Sequence, residues 1–469
     1  MDHETFRNWA HRAADWSADY LEAVGDKPVR AQTSPGEIAA RLPAAPPEQG
    51  EDMADIFKDV DDILMPGMTH WQHPRFFAYF PANSSPPSVI AEYLTATMAA
   101  QCMLWQTSPA ATELETRILD WLRQMLDLPE SFEGVIQDSA SSATLAAILT
   151  GREKALGFSG NQDGLAVHPP VRVYCSAQAH SSIDKAIWIA GIGQTNLVRV
   201  TTRDSDDMDP VALEKAIQAD VTAGHRPAVV IATIGSTSIG AMDDLRAIGE
   251  VARRHGLYVH VDAAWAGSAM IREEHRHLID GIDLADSFVF NPHKWLLTNF
   301  DCTAHFVKDP AALVRTLGIQ PDYLKTQGEA GINYSEWSIP LGRRFRALKL
   351  WFVIRSYGVE GLRRMIRNHV EMADHLARKI ETYPDFELTT RPSLSLFTFR
   401  YAPAGIDDLD DLNARLLQAI NDDGRIYLTQ TRYNGDYVIR FQVGQLYTTT
   451  ADVELAWEVI RELAATLGT

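Results

Sequence analysis

A lysine becomes a nucleophile where its surroundings favour the neutral amine, and the neighbourhood of Lys294 has that character. In ADSFVFNPHKW, residues 285–295, an apolar run of strand type ends in Asn291, Pro292, His293 and Lys294. Proline cannot continue a ladder, so the strand stops there. Open α/β sheets bind ligands beyond the carboxyl ends of their strands, and partial burial at such a place lowers an ammonium pKa. Taken singly, a lysine is far more often a solvated surface group. A second run, LYVHVDAAWAG at 257–267, delivers Asp262 at a strand end, followed by small residues that permit close approach. Two readings fit that aspartate: a helix cap or turn, or a buried carboxylate paired with a cation such as a pyridinium nitrogen.

In GVIQDSASSATL, Asp138, Ser139, Ala140, Ser141 and Ser142 fall between a strand and a helix. Amides and hydroxyls at a helix N-terminus cradle a phosphate, and serines there are equally ordinary caps. No GxGxxG follows a strand and no GxxxxGK[ST] occurs, which disfavours dinucleotides and nucleoside triphosphates. His180 in SAQAHSSIDKA, Thr237 in ATIGSTS and Asp243 each follow another strand-like run. If those strands are parallel, all of these groups share one edge of a sheet. A lysine, an aspartate and a serine-rich phosphate loop at strand ends of one sheet together suit pyridoxal 5′-phosphate (PLP), whose ring stores electrons, while a lone histidine there is more often structural. Glu273-Glu274-His275-Arg276-His277 lacks HExxH spacing, and no metal site is expected there.

The elements that must position these groups follow from periodicity. Strand-like runs at 134–137, 171–176, 197–201, 228–233, 257–261 and 287–290 alternate with helix-period segments, the pattern of an α/β domain with a mostly parallel sheet. One of the helices, 243–255, starts acidic and stops at Gly256. Beyond about residue 350 the character changes to α+β. Residues 386–399 alternate, Asn434-Gly435 marks a two-residue hairpin turn, and 452–467 reads as a closing helix. At the other end Phe6, Trp9, Ala13, Trp16 and Tyr20 form an apolar helical stripe, which packs either on its own core or on a second subunit. Prolines 35, 43, 46 and 47 make 30–50 an extended connector.

Bulk properties narrow the class. With 469 residues the chain exceeds one ordinary core, and 46% hydrophobic with 22% charged residues fits a soluble globular enzyme. A net charge of −19 argues against nucleic acid as the main partner. Cys102, Cys175 and Cys302 lie far apart, without metal-ligand or CxxC spacing, which favours a reducing cytoplasm. No signal-type leader and no run of the roughly 18 apolar residues of a membrane span is present, so an unsecreted protein off the membrane is expected.

The residues also carry a resemblance. HPRFFAYFPANSS, SPAATELE, VIQDSASSATL, AHSSIDKA, HVDAAWAG, FNPHKWLLTNFDC and PLGRRFRALKLWFV, in order from about residue 70 onward, resemble the aromatic-L-amino-acid decarboxylases, which are PLP-dependent group II decarboxylases. The resemblance implies a type-I PLP-dependent transferase fold. Its parts would be an N-terminal helical arm (1–84), a large mostly parallel seven-stranded domain (85–349) and a small α+β C-terminal domain (350–469), in a homodimer with the active site at the subunit interface. Lys294 is then the Schiff-base lysine, Asp262 the pyridinium partner and His180 the imidazole stacked on the ring. Ser139, Ala140, Ser141, Asn291 and His293 correspond to phosphate-loop and neighbouring cofactor contacts, and Thr237 and Ala264 to other pocket positions. Tyr323 in PDYLK matches the mobile-loop tyrosine that returns a proton to the substrate, where relatives with phenylalanine tend toward aldehydes.

Trp71, Tyr79, Phe80 and Pro81 fall where the family binds the aromatic side chain, and Gly342 leaves room for a large ring where histidine-specific relatives carry serine. Departures are Ala82 for a threonine, Met103 for a phenylalanine and Trp265 for a tyrosine. The resemblance therefore implies decarboxylation of an aromatic L-amino acid of the tryptophan, 5-hydroxytryptophan, DOPA, tyrosine or phenylalanine type. The alternatives are an aldehyde synthase, a histidine or glutamate decarboxylase for which Arg75 is the nearest distal cation, and a non-catalytic scaffold relative.

Overall fold

The computed structural model describes residues 1–319 and 331–467. β-Branched and aromatic runs in the middle of the chain pair into one seven-stranded sheet: β1 (Glu133–Gln137), β2 (Val171–Ser176), β3 (Leu197–Val200), β4 (Arg226–Thr233), β5 (Tyr258–Asp262), β6 (Ser287–Phe290) and β7 (Thr303–Val307), in the order β1-β7-β6-β5-β4-β2-β3. Strands β6, β5, β4, β2 and β3 run parallel, while β7 is antiparallel to both β6 and β1. The carboxyl ends of β1, β2, β4, β5 and β6 therefore share one edge. The central strands do not alternate in polarity: Val229, Val230, Ile231, Val261, Phe288 and Val289 are all buried, as both faces of a parallel sheet are covered. The antiparallel β7, TAHFV, is not among the strand-like runs read from the sequence.

Helix Ala140–Ala155 lies hard against this sheet. A Cβ on Gly151 would come within 2.4 Å of Val229 Cγ2, so only glycine allows that approach. The helix read at 243–255 begins at Leu245 with Asp244 as its cap, and Gly256 ends it at φ 69°. Asp243 is instead buried, accepting from Met208 N (2.7 Å) and Thr233 N (2.7 Å), and burial pushes its carboxyl up to about 6. These elements belong to a compact unit formed by Ala82–Asn368.

Met1–Pro81 and His369–Thr469 make up the other unit. Its four-stranded antiparallel sheet comprises β8 (Phe386–Ser393), β9 (Leu396–Tyr401), β10 (Thr429–Tyr433) and β11 (Asp436–Gln442), in the order β10-β11-β9-β8. Asn434 and Gly435 take φ 51° and 94° between the paired Tyr433 and Asp436, the double left-handed turn that a two-residue hairpin demands. Phe77, Phe397, Phe399, Phe441 and Trp457 share this unit's core. The first helix, His3–Ala23, buries none of its residues fully, although Trp9 stacks on Phe57 and Tyr20 packs beside His70.

Candidate active site

Lys294 sits on the four-residue helix Pro292–Trp295, directly after β6, with proline at the position where a missing N–H costs nothing. It is half-buried, between the buried His293 and Trp295. The turn is fixed at its start by Lys294 N–H to Asn291 O (2.9 Å), Asn291 N–H to Ala264 O (2.8 Å) and Thr303 Oγ1 to Asn291 Oδ1 (2.7 Å). His293 Nδ1 accepts from Cys302 N–H at 3.0 Å, and burial with the Lys294 charge holds its imidazole down at about 3. Both histidine and asparagine therefore act as neutral fittings around the lysine.

Asp262 is the last residue of β5, and one carboxyl oxygen accepts from Ala264 N–H at 3.1 Å. Burial raises its pKa, while the charges of His180 and Lys294 and the Ala264 N–H pull it back. Burial makes a cationic partner favourable for this acid, and a protonated ring nitrogen would be one. His180 follows β2. Loss of hydration pushes its imidazole down, Asp262 raises it and Lys294 lowers it, so the three groups sense one another's charge. Ser182 N–H donates to His180 Nδ1 at 3.1 Å, with Ser182 Oγ 2.9 Å away. In the neutral ring the proton therefore rests on Nε2. A Cβ on Gly267 would come within 2.5 Å of Phe290 Cβ, so glycine is what lets the segment after Asp262 close onto β6.

Ser139 caps the 16-residue helix that follows β1, its Oγ accepting from Ser142 N–H at 3.2 Å. Ala140 and Ser141 open that helix, and their amides are among those a helix leaves without internal partners. Beneath it, His260 bridges Thr144 (3.2 Å) and Ser287 (2.8 Å), tying the helix to β5 and β6. Thr237 is exposed after β4, and Ala264 is half-buried. A buried acid, a half-buried lysine, an accessible imidazole and a capped helix N-terminus, all on one sheet edge, fit a phosphorylated pyridine aldehyde, since each would suit a different part of it.

The residues expected to receive an aromatic side chain are divided in the sequence between the two units. Trp71, Tyr79, Phe80 and Pro81 belong to the first, where Trp71 stacks on Phe76 (4.5 Å) and Tyr79 (5.8 Å). Arg75 is engaged there with Arg425 O (2.9 Å), Gly25 O (2.8 Å) and Asp452 (3.3 Å). Those bonds occupy the cation that a distal carboxylate would need. Ala82, Met103 and Gly342 belong to the second unit. Gly342 precedes Arg343, which forms a buried two-pronged pair with Glu115 (2.6 and 3.2 Å). Arg343 N–H also donates to Gln101 Oε1 at 2.6 Å. Sequence reading missed Glu115, Ser182 and Asn83, because each acts through a contact rather than a motif. Tyr323 lies outside the described residues.

Comparison with known proteins bears on the fold and the cofactor. Residues 35–402 match the model of the pyridoxal-dependent decarboxylase conserved domain. The chain is 42% identical to the aromatic-L-amino-acid decarboxylase of Mus musculus, covering 100% of this chain and 99% of that protein. It is 41% identical to a phenylacetaldehyde synthase of Arabidopsis thaliana, covering 100% and 97%. Oryza sativa TDC, solved with PLP and tryptamine, superposes with a TM-score of 0.96 at 36% identity over 100% of this chain and 99% of that one.

Proposed function

The chain belongs to the pyridoxal-dependent decarboxylase family, and from that premise we propose that it removes the α-carboxyl group of an aromatic L-amino acid, giving the amine and CO2. The observation that carries the reading is the gathering of Lys294, Asp262 and His180 at the carboxyl ends of β6, β5 and β2 of one sheet. Its fold is the type-I PLP fold and its cofactor is PLP.

Bound there, PLP supplies an aldehyde carbon for an amine and a ring that takes up the electron pair released as the carboxyl group leaves. Lys294 provides the amine that holds it. The Asp262 carboxylate keeps a proton on the ring nitrogen, and its burial strengthens that attraction. His180 presents Nε2–H as a donor, with Nδ1 tied to Ser182. Ser139, Ala140 and Ser141 bind the phosphate with amides and hydroxyls, Asn291 and His293 shape the lysine turn, and Thr237 and Ala264 line the remaining edge. Trp71, Tyr79, Phe80, Pro81, Ala82, Met103 and Gly342 receive the substrate ring. The Tyr323 phenol delivers a proton to the substrate Cα.

The protein works as a homodimer whose first 84 residues form an arm exchanged between subunits, ahead of a large domain over 85–349 and a small one over 350–469. Support comes from surfaces left open in the single chain. The stripe of helix His3–Ala23 is only partly covered, and helix Pro86–Met98 exposes Val89, Ile90, Tyr93, Leu94 and Met98. A cytoplasmic site suits the three buried free thiols. Among the described residues no helix is long and apolar enough to cross a membrane.

Aldehyde formation is the competing outcome, since a relative named for it is 41% identical. The phenol at 323 favours the amine. Release of CO2 from carboxyl-labelled tryptophan, tyrosine and DOPA tests the proposal, with Lys294→Ala as control. Release with an aromatic substrate, abolished in the variant, is expected; turnover persisting in Lys294→Ala would remove the lysine from its role.

A further inference from the structure

The helix bearing Lys294 has only four residues, and the last carbonyls of any helix lack partners inside it. Donors for them arrive from 211 positions earlier in the chain. Asn83 N–H donates to His293 O at 3.1 Å, and Asn83 Nδ2 donates to Lys294 O at 2.6 Å. Ser85 closes the next bend, donating to Leu297 O from its N–H (3.2 Å) and its Oγ (2.8 Å). Asn83 and Ser85 are fully buried, and Leu297 is held at φ 61°, a backbone conformation that persists only where the surroundings impose it.

We propose that Asn83 is the positioning residue of the cofactor lysine: its side-chain amide fixes the Lys294 carbonyl and with it the direction in which the Cα–Cβ bond sends the amine. This deepens the reading above and rests on Lys294 being the attachment lysine. The start of the turn is pinned through Asn291, Ala264 and Thr303, Leu296 N–H to Pro292 O (3.1 Å) spans its end, and the Asn83 amide adds a bond to the Lys294 carbonyl itself. The amine sits at the end of a four-carbon stem, which amplifies any rotation of that peptide. A carbonyl oxygen accepts only, so the amide nitrogen of Asn83 must face it. Leucine at 83 keeps the branched shape and the backbone N–H bond to His293 O but removes the donor to Lys294 O.

The test uses the full chain stripped of cofactor, as wild type, Asn83→Leu, Asn83→Ser and Lys294→Ala. Attachment of PLP, which joins amine to aldehyde with loss of one water, is followed by the growth of visible absorbance. Noncovalent affinity is measured separately with pyridoxine 5′-phosphate, which has the ring and phosphate but no aldehyde. In Asn83→Leu the attachment rate is expected to fall about 10- to 100-fold, the scale of an ångström of misplacement, with pyridoxine 5′-phosphate affinity within about twofold. Asn83→Ser, too short to reach the Lys294 carbonyl and free of added bulk, shows the same split and decides the matter if the leucine variant does not fold. An unchanged attachment rate, or a parallel loss of rate and affinity, would overturn the proposal. Lysine-type absorbance growing in Lys294→Ala would instead overturn the assignment of the lysine itself.

Discussion

Replacing Glu115 by leucine strands a buried guanidinium, and the consequence can be worked from the contacts. Glu115 and Arg343 side chains are 3% and 2% exposed. The carboxylate takes two hydrogen bonds from Arg343 and one from Ile136 N–H (2.9 Å). Once the carboxylate is gone Arg343 keeps two neutral carbonyls, Ile136 O (2.7 Å) and Cys102 O (3.4 Å), and the face of the Tyr334 ring (5.0 Å), none of which carries a counter-charge. Removing one member of such a buried pair costs about 3–5 kcal/mol, because the survivor's charge is left uncompensated. At about 2–4 °C per kcal/mol for a unit of this size, the melting temperature is expected to fall by about 6–20 °C. The assay is a thermal melt at fixed protein concentration and saturating cofactor, since both shift the apparent stability. The double variant Glu115→Leu/Arg343→Met, with no stranded charge, is expected to melt above Glu115→Leu. A loss below about 1 kcal/mol in the single variant, or strictly additive losses in the double, would refute the reasoning.

Gly342→Ser places a Cβ 3.3 Å from Gln101 Nε2, tighter than ordinary contact. It should raise KM for tryptophan about tenfold or more relative to histidine, read from steady-state kinetics on both. Tyr323→Phe is expected to lose amine and gain aldehyde, and unchanged amine output would remove the proton-delivering role. His305 is fully buried, neither ring nitrogen has a hydrogen-bond partner among the described residues, and burial lowers its pKa from 6.5 to about 4. The unfolded chain therefore binds the extra proton between those values, and stability is lost as pH falls from about 6.5 toward 4. Denaturant titrations at pH 7.5 and 5 should show His305→Leu escaping about 2 kcal/mol of that loss; equal acid sensitivity in both proteins would contradict the assignment.

What the sequence disclosed is what local chemistry writes. The strand ends before Asp262 and Lys294 were legible because apolar runs stop at charged or proline-bearing turns, and Asn434-Gly435 because only such a pair takes two left-handed angles in succession. Strand β7, which returns antiparallel beside β6 and β1, was not read from the sequence. The start of the helix after β4 moved from Asp243 to Leu245, because Asp243 spends its carboxylate on the distant Met208 N–H and on Thr233 N–H. Asn83 and Glu115 lie in segments that carry the resemblance, but their contacts could not be read: the first meets Lys294 across 211 positions and the second Arg343 across 228. No periodicity records a pairing of that span. The resemblance supplied the residues of the aromatic pocket, which periodicity would assign to a core.

The most direct test of the central claim is one reaction of the PLP-loaded protein with tryptophan, 5-hydroxytryptophan, tyrosine, DOPA, phenylalanine, histidine and glutamate, following amine, aldehyde and CO2 together. Amine and CO2 in equal amounts from an aromatic substrate, with little from histidine or glutamate, is the expected result. Aldehyde with ammonia in place of amine, or turnover confined to histidine or glutamate, would contradict it.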